Sequence, residues 1–417
     1  MGTGHSGMIA ACVALAGLFV GCGGGSSSSS GSGGGGGATN NVQSIAVNGG
    51  PVSGQNYANG VFTSVTVCVP GSSTCQTVNG ILVDTGSYGL RILGSAVSSL
   101  GLPQLTSSGN TLYNCVSFVD GSFLWGPMAQ ADVKMAGEVA SKTSIHLVED
   151  PTAFSVPRAC SNGGVDEDTQ AALGANGILG VGMEPEDCGA ACDPSAGGTA
   201  PPVYFTCPSG TCQTAFQAVA NQLTNPVVKF SSDNNGVLIE LPSVSGASPS
   251  LTGSLIFGIG TQTNNKLGSA TVYTVNSSDN FTTNFNQEAL NASFIDSGSN
   301  GLFFPDGSIT VCAANSIAPS FFCPSSTTNL SAQNVGLNNA QSTVNFSVAN
   351  AVSLFQNNSS DAAFSQLAGP NGTGTCAVQR ACSFDWGSPF FYGRNVFVAI
   401  DGQTVPSGTA AAPWWAY

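Results

Sequence analysis

Two stretches of this chain follow one pattern. Residues 80–93 read GILVDTGSYGLRIL, and residues 292–305 read ASFIDSGSNGLFFP. Each runs an apolar strand into an aspartate, then Thr or Ser, Gly, Ser, one variable residue, Gly and Leu, and then resumes an apolar run. An acid placed where an apolar strand breaks into a glycine turn is, taken once, an ordinary turn. Taken twice and in order, it predicts an internal repeat in which each half delivers one acid. Each acid is followed at a nearly equal distance by two apolar residues and a glycine: NGILGVG, with Gly180, in the first half, and PFFYGRN, with Gly393, in the second.

The remaining chain reads as β. GVFTSVTVCV, PGSSTC and QTVNGILVDTGS predict a hairpin that carries Asp84 at a strand end. GSLIFGIGTQTNNKLGSATVYTV predicts two strands around a polar loop. TCQTAFQAVANQL is the best helical pattern, with TNP as its stop. Loops 184–212 and 312–345, rich in Gly, Pro, Ser, Asn and Cys, are expected at the surface. DEDTQAAL at 166–173 reads as a solvated turn or short helix, and APWWAY at the C-terminus as a packing segment.

The chemistry follows by elimination. Asp and Glu outnumber Lys and Arg by 22 to 8, and the net charge of −14 leaves no basic stripe for nucleic acid. Of two histidines, His5 lies in the leader, so a histidine-based nucleophilic site would have to use His146, in TSIHLVED, where nothing marks a partner. Histidine metal sites and phosphate-cradling loops are not expected, nor is any cofactor. Carboxyls remain. Two aspartates on equivalent turns, face to face, cannot both ionise, so they share one proton. The charged member takes a proton from a water and the protonated member polarises a carbonyl, which is general acid–base hydrolysis of an amide. Gly86 and Gly298 permit tight turns, Thr85 and Ser297 can tie the two loops together, and Ser87 and Ser299 can hold the aspartates.

Over most of residues 57–405 the chain resembles the pepsin-like aspartic endopeptidases. ILVDTGSYGL with NGILGVG, and FIDSGSNGLFFP with FFYGRNVFVAID, look like that family's two catalytic turns and the strands crossing behind them. YGRN is similar to the glycine-arginine-asparagine corner of the single-lobe retroviral relatives. The resemblance implies an all-β, bilobal acid protease fold with two pseudo-twofold-related β-barrel lobes and a central cleft. It makes Asp84 and Asp296 the catalytic dyad and an extended polypeptide the substrate, gripped as an added strand by a monomer. The chain departs from the family in the flap: NCVSFVDGSFLWG has Phe118 at the usual tyrosine, and Arg91 replaces the tryptophan that normally bonds it. Trp125 is the candidate substitute aromatic at the cleft, and Arg91 there would lower the dyad's pKa values or select acidic substrates. A catalytically silent binding protein on the same fold is the second reading, and a β-rich adhesin whose acidic turns are only turns is the third.

The first residues read as an export signal. MIAACVALAGLFVGC is too short to span a bilayer, and Phe19, Val20, Gly21 and Cys22 resemble a bacterial lipobox with Cys22 lipidated. GGGSSSSSGSGGGGG then forms a tether with a reach of roughly 20 Å. The expected organisation is a signal at 1–21, lipidated Cys22 and tether at 22–41, an N-terminal lobe at 42–245 and a C-terminal lobe at 246–417. Gly23 points by analogy to attachment at the outer membrane through the lipid anchor. Of 14 cysteines, Cys12 and Cys22 belong to the leader and lipid site. An exported context predicts disulfides for the rest: Cys68–Cys75, Cys188–Cys192, Cys207–Cys212, Cys312–Cys323 and Cys376–Cys382 as neighbours, and Cys115–Cys160 by elimination.

Overall fold

In the computed structural model, residues 40–118, 120–148, 155–371 and 383–417 are described. The lipobox at Cys22, the tether and the Cys376–Cys382 pairing lie outside the described residues. Strands hold 41% of the described residues and helices 12%, so the alternating apolar pattern has been used as sheet. Among the described residues no helix is long and apolar enough to cross a membrane.

The sheets are barrel-like. A 16-stranded sheet draws strands from both halves, and a 7-stranded sheet belongs to the second. The expected hairpin forms, with Val61–Cys68 antiparallel to Cys75–Asp84. Strand Gly177–Val181 lies between the strand entering the first acidic turn and the strand leaving it, parallel to Cys75–Asp84 and antiparallel to Tyr88–Leu93. The second half repeats the arrangement: Asp385–Trp386 lies parallel to Glu288–Ile295 and antiparallel to Leu302–Phe304. Both turns are thus pinned from behind by a strand with apolar neighbours. Ile81, Val83, Leu90, Ile92, Leu179 and Val181 are buried there in the first half. In the second half Phe384 stacks on Phe304 and Trp386 at centroid distances of 4.8 and 3.8 Å.

The strand behind the second turn is not the one expected from the sequence. Ile295 pairs with Trp386, and Asp296 N–H donates to Trp386 O at 3.0 Å, so the glycine behind Asp296 is Gly387. A Cβ there would lie 2.0 Å from Gly301 O, just as one at Gly180 would lie 2.4 Å from Tyr88 N. Gly393 instead turns the chain toward Asn395–Ala399, which pairs with Gly236–Glu240. The pattern was obscured because Asp385 occupies an otherwise apolar position in FDWG.

Other expectations divide. The run 211–223 is not a helix. The Cys207–Cys212 disulfide, the pairing of Gln213–Thr214 with Phe205–Thr206, and the Gln217 N–H bond to Cys192 O hold it extended, and only a 3-10 turn forms at Val219–Asn221. Loop 312–345 contains strand Thr328–Val335 and most of its hairpin partner Gln341–Val348. DEDTQAAL does end in a short helix, Gln170–Leu173, but Glu167 in it is buried rather than solvated. Strand Leu251–Phe257 and strand Val272–Thr274 form as expected, and the C-terminal Trp414–Ala416 packs as a buried strand between Val272–Thr274 and Asn395–Ala399. Five of the six expected disulfides join described residues and all five are present, including Cys115–Cys160.

Candidate active site

The two acidic turns meet. Thr85 and Ser297 exchange hydrogen bonds: Thr85 N–H donates to Ser297 Oγ at 3.1 Å, and Ser297 N–H donates to Thr85 Oγ1 at 2.9 Å. Each hydroxyl then reaches past the other turn, Thr85 Oγ1 to Ile295 O at 3.1 Å and Ser297 Oγ to Val83 O at 2.7 Å. These four bonds are buried, where an unmade partner is costly, so they fix the two turns against one another. The carboxyls follow. Gly86 N–H donates to Asp84 Oδ1 at 2.8 Å and Gly298 N–H to Asp296 Oδ1 at 2.7 Å. Ser87 Oγ donates to Asp84 Oδ2, and Ser299 Oγ lies 2.9 Å from Asp296 Oδ2.

Both glycines are required by proximity. A Cβ at Gly86 would lie 2.9 Å from Asp296 Oδ1, and one at Gly298 would lie 2.7 Å from Asp84 Oδ1. Asp84 and Asp296 are themselves linked by a side-chain hydrogen bond, and both are buried. Burial foremost, then the charges of Asp84 and Asp385, push the Asp296 carboxyl well above the ordinary carboxylate range, against the Gly298 N–H bond. Two carboxyls joined in this way hold a proton between them.

A family model described as "Protein of unknown function (DUF3443)" matches residues 37–417. The chain belongs to this family. No curated protein matches it.

The residues expected to line a cleft in this DUF3443 member are buried instead. Phe118 is 5% exposed and packs in a cluster with Tyr57, Phe62, Leu82 and Ile178. Trp125, 2% exposed, stacks on Tyr113 at 5.2 Å beside the Cys115–Cys160 disulfide. The hairpin that carries both, Asn110–Ser117 with Phe123–Met135, does form. Tyr204–Thr206 pairs with the outer strand, and Phe205 meets the Trp125 ring edge-on at 5.3 Å.

Arg91 also turns inward and is 2% exposed. Its guanidinium donates to Asn114 Oδ1 at 2.5 Å, approaches His146 Nδ1 at 3.1 Å and pairs with Asp187 Oδ2 at 3.5 Å. Asn114 and the Tyr204 hydroxyl complete the Asp187 carboxylate. Burial, with the Arg91 charge added, holds His146 well below its usual range, so it is neutral and serves as an acceptor. The structure thus gives Arg91 a local carboxylate partner in Asp187, and the charges of Arg91 and Asp84 also act on one another. Sequence reading missed this network because its members come from five separate segments.

Asp385 was missed as well. It is 5% exposed, and its Oδ2 lies 2.6 Å from Ser299 Oγ. The signal available in the sequence was an acid two residues before a glycine in an apolar run. Among the described residues no group of three His, Cys, Asp or Glu side chains could hold a metal ion.

Proposed function

We propose that this protein is an aspartic endopeptidase in which Asp84 and Asp296 activate a water between them. The observation that carries the reading is the reciprocal Thr85–Ser297 bonding, with each turn's Gly N–H and Ser hydroxyl aimed at its own carboxyl. Such a frame spends many polar groups to hold two acids together, an arrangement that a purely structural turn does not need. Asp296, whose carboxyl is pushed up, keeps the proton and polarises the scissile carbonyl. Asp84 accepts three hydrogen bonds, from Gly86, Ser87 and Asp296, which suits it to carry the charge and take a proton from water.

In this reading the two halves are the lobes of a pepsin-like bilobal fold, and the substrate is an extended polypeptide docking by strand addition. The exported, lipid-tethered setting belongs to the same proposal and rests on the leader sequence. A silent pepsin-fold binding protein is favoured by one observation, the inward packing of Phe118 and Arg91, which leaves that pair without a flap role. The decisive measurement is cleavage of a mixed peptide library by purified protein between about pH 3 and pH 7. Asp84→Asn is expected to lower cleavage by about a thousandfold or more. Wild-type protein that cleaves nothing across that range assigns the site to binding.

A further inference from the structure

Ser299 Oγ stands between two carboxyls, 2.9 Å from Asp296 Oδ2 and 2.6 Å from Asp385 Oδ2. Together with the Asp84–Asp296 bond, this makes a chain of three links: Asp385 to Ser299, Ser299 to Asp296, and Asp296 to Asp84. Each link needs one hydrogen. The hydroxyl supplies only one, because a serine has a single O–H. Two of the three carboxyls must therefore be protonated, or two oxygens face each other with nothing between.

We propose that Asp385 is a positioning residue held as the neutral acid, donating to Ser299 Oγ so that Ser299 in turn donates to Asp296. Three carboxyls then share two protons and one charge, and the charge is confined to the Asp84–Asp296 pair. The other filled arrangement reverses the chain: Ser299 donates to Asp385, Asp296 donates to Ser299, and Asp84 must carry a proton as well. In that arrangement the charge sits on Asp385, and the pair cannot take a proton from water.

Hydrogen-bond supply separates the two. An ionised Asp385 would have Ser299 as its donor, and its Oδ1 has no partner in the buried site. An ionised Asp84 has Gly86 N–H, the Ser87 hydroxyl and the proton from Asp296. An orphaned oxygen is far less costly on a neutral acid than on a carboxylate. The surroundings of Asp385 agree. Its cross-strand partners Phe294 and Phe303 carry no charge. The charged groups reaching it are Asp84 and Asp296. Arg394, on the following segment, donates to Phe390 O at 2.6 Å and lies over the Phe390 ring, so it is engaged elsewhere. Burial, with Asp84 in support and the Ser299 bond opposing, pushes the Asp385 carboxyl well above the ordinary range.

The test has two arms. Infrared difference spectroscopy at about pH 6, where an ordinary carboxyl is ionised, compares wild-type protein with Asp385→Asn. Loss of one protonated-carboxyl C=O band is expected, and loss of a carboxylate band would overturn the proposal. Asp385→Ser, smaller than asparagine, reads the same band should the first variant not fold. The second arm rests on the endopeptidase reading and compares kcat. Asp385→Asn keeps a donor to Ser299 and is expected to stay within about threefold of wild type, whereas Asp385→Leu removes it and is expected to fall about tenfold, the worth of one hydrogen bond. An asparagine variant as impaired as the leucine variant would overturn the proposal. If wild-type protein cleaves no peptide, the enzymatic reading fails and the infrared arm alone decides the protonation of Asp385.

Discussion

The first and second acidic turns share a backbone and differ in what stands behind it. In the first half Ile178 faces Arg91 across the strand pair; in the second half Asp385 faces Phe303 at the matching positions. Each half therefore places an ionisable side chain behind its turn, but on opposite strands, a guanidinium in the first half and a carboxyl in the second. Arg91 is neutralised locally by Asp187 and bonded by Asn114, so its charge is balanced within its own half. Asp385 has no cation and leans on Ser299, which itself touches Asp296. The backbone repeat sets where the two carboxyls sit. The unequal side chains behind them set how their protons are distributed.

Three measurements would break or sharpen that contrast. The largest effect is expected at Arg91. Arg91→Ala leaves Asp187, which is buried, without its cation, and should cost about 3–5 kcal/mol in urea unfolding. A cost below about 1 kcal/mol would mean that the first half does not depend on its buried pair. Next comes Thr85→Ala, which removes the acceptor of Ser297 N–H and the donor to Ile295 O. A loss of about 1–3 kcal/mol is expected, and Ser297→Ala should match it if the two turns bear equally on their junction.

The third effect is a slope. Burial and neighbouring acids push Glu167 up to about 8, and burial with Asp279 and Asp401 pushes Glu184 up to about 8. Both values are raised in the folded protein, so it binds protons that the unfolded chain releases near pH 4.3. Stability is then greatest below about pH 4 and declines as pH rises toward about 8. Thermal unfolding across that window should show the decline, and Glu167→Gln or Glu184→Gln should flatten it. Glu167 sits within the first half. Glu184 bonds Asp279 of the second half, which also accepts the Tyr88 hydroxyl at 2.7 Å. A flattening larger for Glu184→Gln would locate the sensitivity between the halves; a stability that climbs over the window contradicts both assignments.

What the sequence displays here depends on how local the cause is. Each acidic turn is a contiguous run whose residues contact one another, so Asp84, Gly86 and Ser87 could be grouped by reading alone, and the same holds for Asp296, Gly298 and Ser299. The mostly-β character was legible for the same reason, since alternation is written strand by strand. Cysteines four to eleven residues apart were paired by their closeness in sequence, and those pairs are present among the described residues. Side-chain direction is another matter. Whether Trp125 and Arg91 face a groove or a core depends on where Phe205 and Asp187 return from distant sequence. Gly387 was hidden by the acid at 385, and the helical spacing around Phe216 was overruled by a disulfide and two backbone bonds.

Strand Val42–Val47, the first of the described chain, pairs residue for residue with Ile256–Leu251 of the second half and touches Val61–Phe62 of the first. A pull drawn along that strand from the N-terminal side loads six paired positions together, in shear, rather than opening them one by one. Mechanical tension on the leading segment would thus pass directly into Leu251–Phe257, a strand of the second half.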